Sequence, residues 1–344
     1  MSGFNFLKVV SANKITSDAI VLSFEIPKSL KNKYEFIPGQ YLTLELIIDN
    51  VKVRRSYSIC SGPDEILKVG IKKIAKGVFS NYVFNNIKIG DIINVSYPEG
   101  RFTFNSNGNK EVITGIAAGS GITPILSIAK SVLNSNKKNE FRLIYANKSL
   151  KDEMFSSEIQ LLKDKFLSRL KVINIYSQSN EKESLFGRID NSIINHYESL
   201  YGLADKYFIC GPEEMIHSVA DVLFKKNISK ENLLYELFKT NTEKIINQNI
   251  EEHSKLEIIY DGVKYELNNI NGKTVLDAAL ESEIDVPYSC QGGVCSSCIA
   301  RVIEGSAKMK SNQILTDEEV KEGLILTCQA IIENNFIKVD YDDV

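Results

Sequence analysis

Four cysteines near the end of this chain constrain its fold more than any other feature. Cys290, Cys295 and Cys298 stand in the run Cys-Gln-Gly-Gly-Val-Cys-Ser-Ser-Cys, and Cys328 follows at a distance. Four residues separate the first two cysteines and two separate the second from the third, which is the ligand spacing of a [2Fe-2S] cluster. Gly292 and Gly293 let the backbone wrap closely around a small anionic core where side chains would obstruct it. Structural zinc is the competing reading, but zinc sites usually present two short Cys-x2-Cys pairs. One such pair, one longer gap and one remote cysteine favour the cluster.

The neighbouring residues suit a small scaffold. Leu256 to Leu267 alternates and ends in a turn around Asn271-Gly272, Thr274 to Glu283 has helical spacing, and Ile299 to Val302 reads as a strand. A small sheet crossed by a helix is expected. The stretch Asp285-Val-Pro-Tyr-Ser-Cys290, with Leu326-Thr-Cys328-Gln329, resembles plant-type ferredoxins over about the last ninety residues. That resemblance implies a β-grasp fold with Cys290, Cys295, Cys298 and Cys328 as metal ligands. Gln291 departs from it, since many ferredoxins carry a basic residue there.

A chain of 344 residues allows two or three domains, each long enough to bury a core. The start, Met-Ser-Gly-Phe-Asn-Phe-Leu-Lys, does not read as a leader, and no later stretch approaches the roughly eighteen apolar residues of a membrane helix. The expectation is a cytoplasmic protein with no membrane span and no nucleic-acid partner. Cys60 and Cys210 are single and far apart, which suits a reducing compartment. The histidines His196, His217 and His253 lack metal spacing, which removes a Rieske centre. The formal charge of -3 hides an asymmetry: residues 255–344 carry 8 basic and 16 acidic side chains, the rest 33 and 28. The acidic end reads either as a solvated surface or as a means of electrostatic docking, to the other domains or to an electron-accepting partner.

From Phe4 to Phe104 short alternating runs with frequent turn residues suggest an antiparallel β-barrel. It contains Arg54-Arg55-Ser56-Tyr57-Ser58 and, about twenty residues on, Gly77-Val78-Phe79-Ser80. A guanidinium fork suits pyrophosphate, a tyrosine ring can lie on a flat heterocycle, and a hydroxyl can bond a ring nitrogen. Each motif alone is weak, because half-exposed strands and helix starts show the same residues. Together they resemble the flavin domain of the ferredoxin-NADP reductase superfamily, with its R-x-Y-S and G-x-x-S/T signature. The resemblance implies that Arg55 holds the FAD pyrophosphate, Tyr57 packs on the isoalloxazine and Ser58 bonds near N5. Gly77, Val78, Phe79 and Ser80 would offer amides to phosphate at a helix N-terminus.

Beyond the polar boundary Asn105 to Lys110 the period changes to strand–helix alternation, implying an α/β domain with a parallel sheet and ligands beyond the strands' carboxyl ends. Its first turn is Gly119-Ser120-Gly121-Ile122-Thr123-Pro124, with Pro124 expected at the first helical position. It lacks the third glycine of a standard dinucleotide fingerprint, but matches the G-x-G-I-T-P turn of the same superfamily. Cys210-Gly211-Pro212 matches its C-G-P turn, which places the cysteine beside the nicotinamide. Gly119, Gly121, Thr123, Pro124, Cys210, Gly211 and Pro212 are therefore expected at the nucleotide. Lys148 and Ser149 follow the second strand and favour NADPH, with NADH the alternative. Glu236 and Phe238 lie in a terminal-strand region from which relatives place residues over the flavin, without an assigned role here.

The order of modules resembles the reductase components of bacterial oxygenases, most closely the phenylacetyl-CoA epoxidase reductase group. Expected boundaries are 1–105 for the FAD-binding barrel, 106–239 for the nucleotide domain, 240–254 for a polar linker and 255–344 for the ferredoxin domain. The resemblance implies hydride transfer from NADPH to flavin near Ser58 and Cys210, the expected catalytic residues, then single electrons to the cluster and on to an oxygenase component. Competing readings are a reductase for another acceptor, such as a desaturase, hydroxylase or separate ferredoxin, and a non-catalytic redox sensor.

Overall fold

The computed structural model describes residues 3–106, 108–238, 254–268, 270, 272–288 and 291–344. Gly3–Phe238 is one compact unit and the chain beyond Phe238 belongs to a second.

The first unit begins with an antiparallel sheet of β1 (Phe4–Lys14), β2 (Ala19–Glu25), β3 (Tyr41–Ile48), β4 (Val51–Ser58), β5 (Lys68–Lys72) and, after the helix α1 (Val78–Asn86), β6 (Ile92–Ser96). Strand order is β4-β3-β6-β1-β2-β5. An Ile59–Val69 bridge and a Cys60 N–H to Lys68 O bond of 3.0 Å draw the two edge strands together, giving the expected barrel. Alternation decides its interior: Leu7, Val9, Leu42, Leu44, Ile93 and Val95 point inward, and α1 closes one end with Phe79, Val83 and Phe84. The β3–β4 hairpin turns through Asp49 and Asn50, both at positive φ, as a two-residue turn of this hand requires.

The rest of the unit is the parallel sheet β7 (Val112–Ala118), β8 (Glu140–Asn147), β9 (Leu170–Tyr176), β10 (Leu185–Phe186), β11 (Lys206–Gly211) and β12 (Leu233–Leu237). Helices α2 (Ile122–Ser135), α3 (Ser156–Phe166), α4 (Asn191–Tyr201) and α5 (Glu213–Lys225) make the crossovers. The order β10-β9-β8-β7-β11-β12 reverses direction between β7 and β11, the switch point where such sheets bind ligands. Helix α2 is apolar on nearly every side because it is sandwiched: one core cluster joins it to β7, β8 and β11 and to Ala19, Val21, Cys60, Phe102 and Phe104 on the barrel side. Lys130 on α2 is 2% exposed; its Nζ meets Glu65 at 2.8 Å, Glu158 at 2.6 Å and the Cys60 carbonyl at 3.2 Å. Ser127 adds a bond of 2.7 Å to the Ser61 carbonyl. Barrel and nucleotide sheet are thus held together by both packing and polar contacts.

The second unit holds β13 (Lys255–Tyr260), β14 (Val263–Asn268), α6 (Val275–Glu281), β15 (Ile299–Met309), α7 (Asp317–Lys321), β16 (Leu324–Leu326) and β17 (Ala330–Asp340). Its sheet runs β14-β13-β17-β15-β16, with β13 and β17 parallel, and Val275, Leu276, Ala278 and Ala279 of α6 join its core: a β-grasp fold. Thr274 caps α6 by accepting from the Asp277 amide at 3.1 Å.

Several sequence expectations need correction. Leu256 to Leu267 is a hairpin, turning at Asp261-Gly262 with positive φ at both, and not one extended run. The strand expected over Ile299 to Val302 continues to Met309. Helix α2 starts at Ile122 after a 3-10 turn over Gly119–Gly121, so Pro124 is its third residue. It still lies in the first turn, where its missing N–H breaks no intrahelical bond. The turn expected at Asn271 and the linker before Ser254 fall outside the described residues.

The glycine turn sits hard against β11. A Cβ on Gly121 would lie 2.1 Å from the Cys210 carbonyl oxygen and 2.5 Å from its carbon, both backbone atoms with little room to yield. Gly121→Ala is expected to lower stability by roughly 1–3 kcal/mol, read from denaturant or thermal unfolding. An unchanged midpoint would mean that the turn retreats from β11 without cost.

Candidate active site and cluster loop

Strand alternation separates the two arginines of β4. Arg54, 4% exposed, shares a sheet face with its register partner Glu45 and pairs with it at 2.6 Å. Arg55, exposed, lies on the other face with Tyr57, the two standing opposite Leu44 and Leu42 in the β3–β4 register, and it donates from Nη1 to the Arg54 carbonyl at 2.6 Å. The Tyr57 ring lies against Phe79 of α1, centroids 5.8 Å apart, so the two barrel motifs distant in sequence share one surface. Burial pushes the Tyr57 phenol above its ordinary value while Arg55 pulls against it.

Gly77 is the extended residue before α1, and no side chain caps that helix. Ser80 turns back instead, its Oγ accepting from the Ile74 amide at 3.1 Å, and a Cβ on Gly77 would approach this Oγ to 2.8 Å. The first-turn amides of Val78, Phe79 and Ser80 have no intrahelical acceptor and suit an anion. Gly119, at φ +55°, has nothing within 4 Å of where a Cβ would be, which leaves the glycine turn open on that side. The turn is braced from behind by Tyr145, whose hydroxyl donates to the Gly119 carbonyl at 3.1 Å, and by the Thr123 hydroxyl on the Ser120 carbonyl at 3.0 Å.

The β7–β11–β12 register places Ala117, Cys210 and Glu236 in one row. Residues directly opposite share a sheet face, so Cys210 and Glu236 are neighbours. Ser58, at the end of β4, is buried and donates to Glu236 Oε2 at 3.3 Å. The barrel and the nucleotide sheet thereby bring Ser58, Cys210 and Glu236 together. Burial raises the Glu236 carboxyl to about 8, with the Ser58 hydroxyl pulling against it. Burial, reinforced by Glu236, pushes the Cys210 thiol well up, so it is neutral and no nucleophile at physiological pH. Gly211 and Pro212 continue into α5; a Cβ on Gly211 would meet Met215 at 2.6 Å. Glu236 is the residue the sequence leaves without a role. Its signal is a lone acid in the apolar run Leu-Leu-Tyr-Glu-Leu.

Lys148 is exposed at the end of β8, and its carbonyl accepts from the Gln178 amide at 2.8 Å. The Ser149 hydroxyl is taken by Asp152 at 2.6 Å, which adds a carboxylate to this loop.

In the second unit Cys295, Cys298 and Cys328 are buried, while Cys290 lies outside the described residues. The Thr327 amide and hydroxyl both donate to the Cys298 carbonyl, at 3.0 and 2.9 Å, tying the loop to the Cys328 segment. Gly293 has φ +75°, and a Cβ there would meet the Ser311 carbonyl at 2.9 Å and Gln329 Cγ at 3.0 Å. The loop therefore folds back tightly, as close wrapping of a small cluster requires, and its soft sulfur donors fit iron–sulfur chemistry.

Residues 6–104 match the model of the oxidoreductase FAD-binding domain, 116–221 that of the oxidoreductase NAD-binding domain and 258–333 that of the 2Fe-2S iron-sulfur cluster binding domain. The chain is 34% identical to one of the subunits of the 1,2-phenylacetyl-CoA epoxidase of Escherichia coli K12, covering 99% of both proteins. It is 31% identical to the ferredoxin reductase component of 3-ketosteroid-9-alpha-monooxygenase of Rhodococcus rhodochrous, covering 97% of this chain and 96% of that one. The chain belongs to the flavin- and [2Fe-2S]-containing reductase components of oxygenases. The phthalate dioxygenase reductase structure has the same fold, with a TM-score of 0.63, 22% identity and 98% coverage of both chains.

This reductase is an NAD(P)H-dependent oxidoreductase whose cofactors are FAD, a [2Fe-2S] cluster and a nicotinamide nucleotide. No described helix is long and apolar enough to cross a membrane.

Because Glu236 is raised from 4.5 to about 8 on folding, the folded state holds a proton that the unfolded state has lost between those values. The stability this group contributes is complete below about 4.5 and is lost as pH rises through 8. Denaturant unfolding of wild type should weaken across that range by up to about 1.4 kcal/mol per pH unit from this group alone. Glu236→Gln should remove that component; identical slopes in both proteins would mean that Glu236 ionises freely in the fold.

Proposed function

We propose that the reductase takes electrons from NADPH and delivers them, through FAD and the [2Fe-2S] cluster, to an oxygenase that acts on phenylacetyl-CoA. The observation that carries the acceptor is the 34% identity to the epoxidase component along 99% of the chain. FAD, when bound, accepts a hydride and releases electrons singly, and the cluster carries one at a time. Domain limits of 1–105, 106–239 and 255–344, joined by a 240–254 linker, belong to this reading, which is supported by family matches falling within each of the three, at 6–104, 116–221 and 258–333. A cytoplasmic setting is in keeping with Cys60 and Cys210 as buried thiols.

Each chain residue has a definite task in this reading. Arg55 and the first-turn amides of Val78, Phe79 and Ser80 bind the FAD phosphates, and Tyr57, braced by Phe79, supports the ring. Gly119, Gly121, Thr123 and Pro124 shape the turn that receives the dinucleotide phosphates, and Gly211 and Pro212 hold the facing turn. Cys210 fills the floor beside the nicotinamide as a neutral, compact group. The Ser58 hydroxyl donates to Glu236 Oε2 in this structure; with FAD bound it would turn toward the flavin nitrogen, and the protonated Glu236 carboxyl would donate to Ser58 Oγ in exchange. Cys290, Cys295, Cys298 and Cys328 are the cluster ligands.

NADPH is favoured by Lys148, an exposed cation just past the carboxyl end of β8. NADH is the second reading, favoured by Asp152, whose carboxylate occupies the Ser149 hydroxyl in that loop. Lys148→Asp separates them. Loss of a charge-assisted contact worth roughly 1.5–3 kcal/mol should raise the KM for NADPH tenfold or more and leave that for NADH nearly unchanged. Equal effects on both nucleotides would remove Lys148 from the site.

The acceptor is tested by putting this reductase in place of its relative in an assay of the Escherichia coli epoxidase's remaining components. NADPH-dependent conversion of phenylacetyl-CoA is expected. Vigorous ferricyanide reduction without any conversion would point to a different oxygenase.

A further inference from the structure

Gln329, which follows Cys328, is 3% exposed, and its amide is turned wholly onto the cluster loop. Its Nε2 donates to the Gln291 carbonyl at 3.0 Å and to the Cys328 carbonyl at 3.1 Å, and lies 3.8 Å from the Cys328 sulfur. Its Cγ is the atom that a Cβ on Gly293 would strike at 3.0 Å. One side chain therefore touches the loop at both of its left-handed turns, Gln291 at φ +55° and Gly293 at φ +75°, and reaches a cysteine sulfur as well. Its Oε1 is buried with no hydrogen-bond partner among the described residues. Packing alone does not account for this choice: a leucine or methionine would fill the same space without burying an unpartnered oxygen. What the amide adds is donors, aimed at one sulfur and at the backbone beside Cys290.

We propose that Gln329 is a positioning residue for the [2Fe-2S] cluster, its amide pinning the Gln291 backbone and donating toward the Cys328 sulfur so as to raise the reduction potential of the cluster. Reduction adds one electron to the cluster, and most of the added negative charge is felt at the sulfurs. A donor facing sulfur stabilises the reduced form more than the oxidised one, so the potential rises. The Thr327 amide and hydroxyl donate to the Cys298 carbonyl, whereas the Gln329 amide faces a cysteine sulfur. The same contact gives Gln291 a function through its backbone, independent of its side chain. The inference rests on Cys328 being a cluster ligand.

Redox titration of the whole reductase, followed by the EPR signal of the reduced cluster, tests it. Gln329→Met keeps the size and removes the donors; Gln329→Glu keeps the shape and puts an anion beside the sulfur. The Met variant should show a tenfold less favourable reduction equilibrium, about 59 mV lower for a one-electron couple, and the Glu variant a larger drop. The flavin couple in the same titration should not move. A cluster potential equal to or above that of wild type in the Met variant overturns the proposal. If the Met variant takes up no cluster, the Glu variant decides by the same criterion; if neither does, the side chain serves assembly and not the potential, which also overturns it. Cys328→Ser is the separate control: a native cluster signal there would refute the ligand assignment itself.

Discussion

The contact on which the switch point of the parallel sheet depends is the one between Gly121 and the carbonyl of Cys210. A turn at the carboxyl end of β7 can lie on the end of β11 only where no Cβ intervenes. That approach closes the two strands flanking the switch point and fixes the height of Cys210 against its neighbours. Through the sheet register it also fixes Glu236, and through the packed and ion-paired α2 it fixes the barrel edge from which Ser58 reaches across. A hydride donor and acceptor must meet at near van der Waals distance, and a misplacement of about 1 Å can cost two orders of magnitude in rate.

Glu236 illustrates how burial converts an ordinary carboxyl into a proton holder. It lies opposite a neutral thiol, with a serine hydroxyl as the donor seen at its oxygen, and no described lysine or arginine pairs with it. Its desolvation therefore goes uncompensated, and the protonated form persists at neutral pH. Lys130 is the contrasting case. It is as deeply buried, yet two carboxylates and a carbonyl surround it, and the ion pairs outweigh the desolvation, holding the ammonium in its charged form. One buried group is held neutral for want of a partner, the other is held charged by a full set of partners.

Much of this was legible in the chain because the motifs proposed to hold flavin, nucleotide and cluster are short loops whose geometry is local. Cys295-Ser-Ser-Cys298, Gly77 to Ser80 and Gly119 to Pro124 each carry their own turn chemistry, and strand alternation sends Arg55 and Tyr57 to one side. What depended on register was not legible. Glu236 gains its meaning from facing Cys210 on a neighbouring strand and Ser58 on another sheet, neither of which spacing can reveal. The hairpin within Leu256 to Leu267 is signalled only by the Asp261-Gly262 pair and by a phase shift of the alternation there, from Leu256, Ile258 and Tyr260 to Val263, Tyr265 and Leu267. Gln329 was hidden likewise, since its partners lie across the cluster loop.

The order of electron flow is the central claim, and anaerobic stopped-flow mixing of the wild-type reductase with NADPH tests it most directly. Flavin absorbance should bleach first and the cluster bands should follow at a slower rate that does not depend on NADPH concentration. Cluster bleaching that precedes that of the flavin, or proceeds at full rate in FAD-depleted protein, would contradict it.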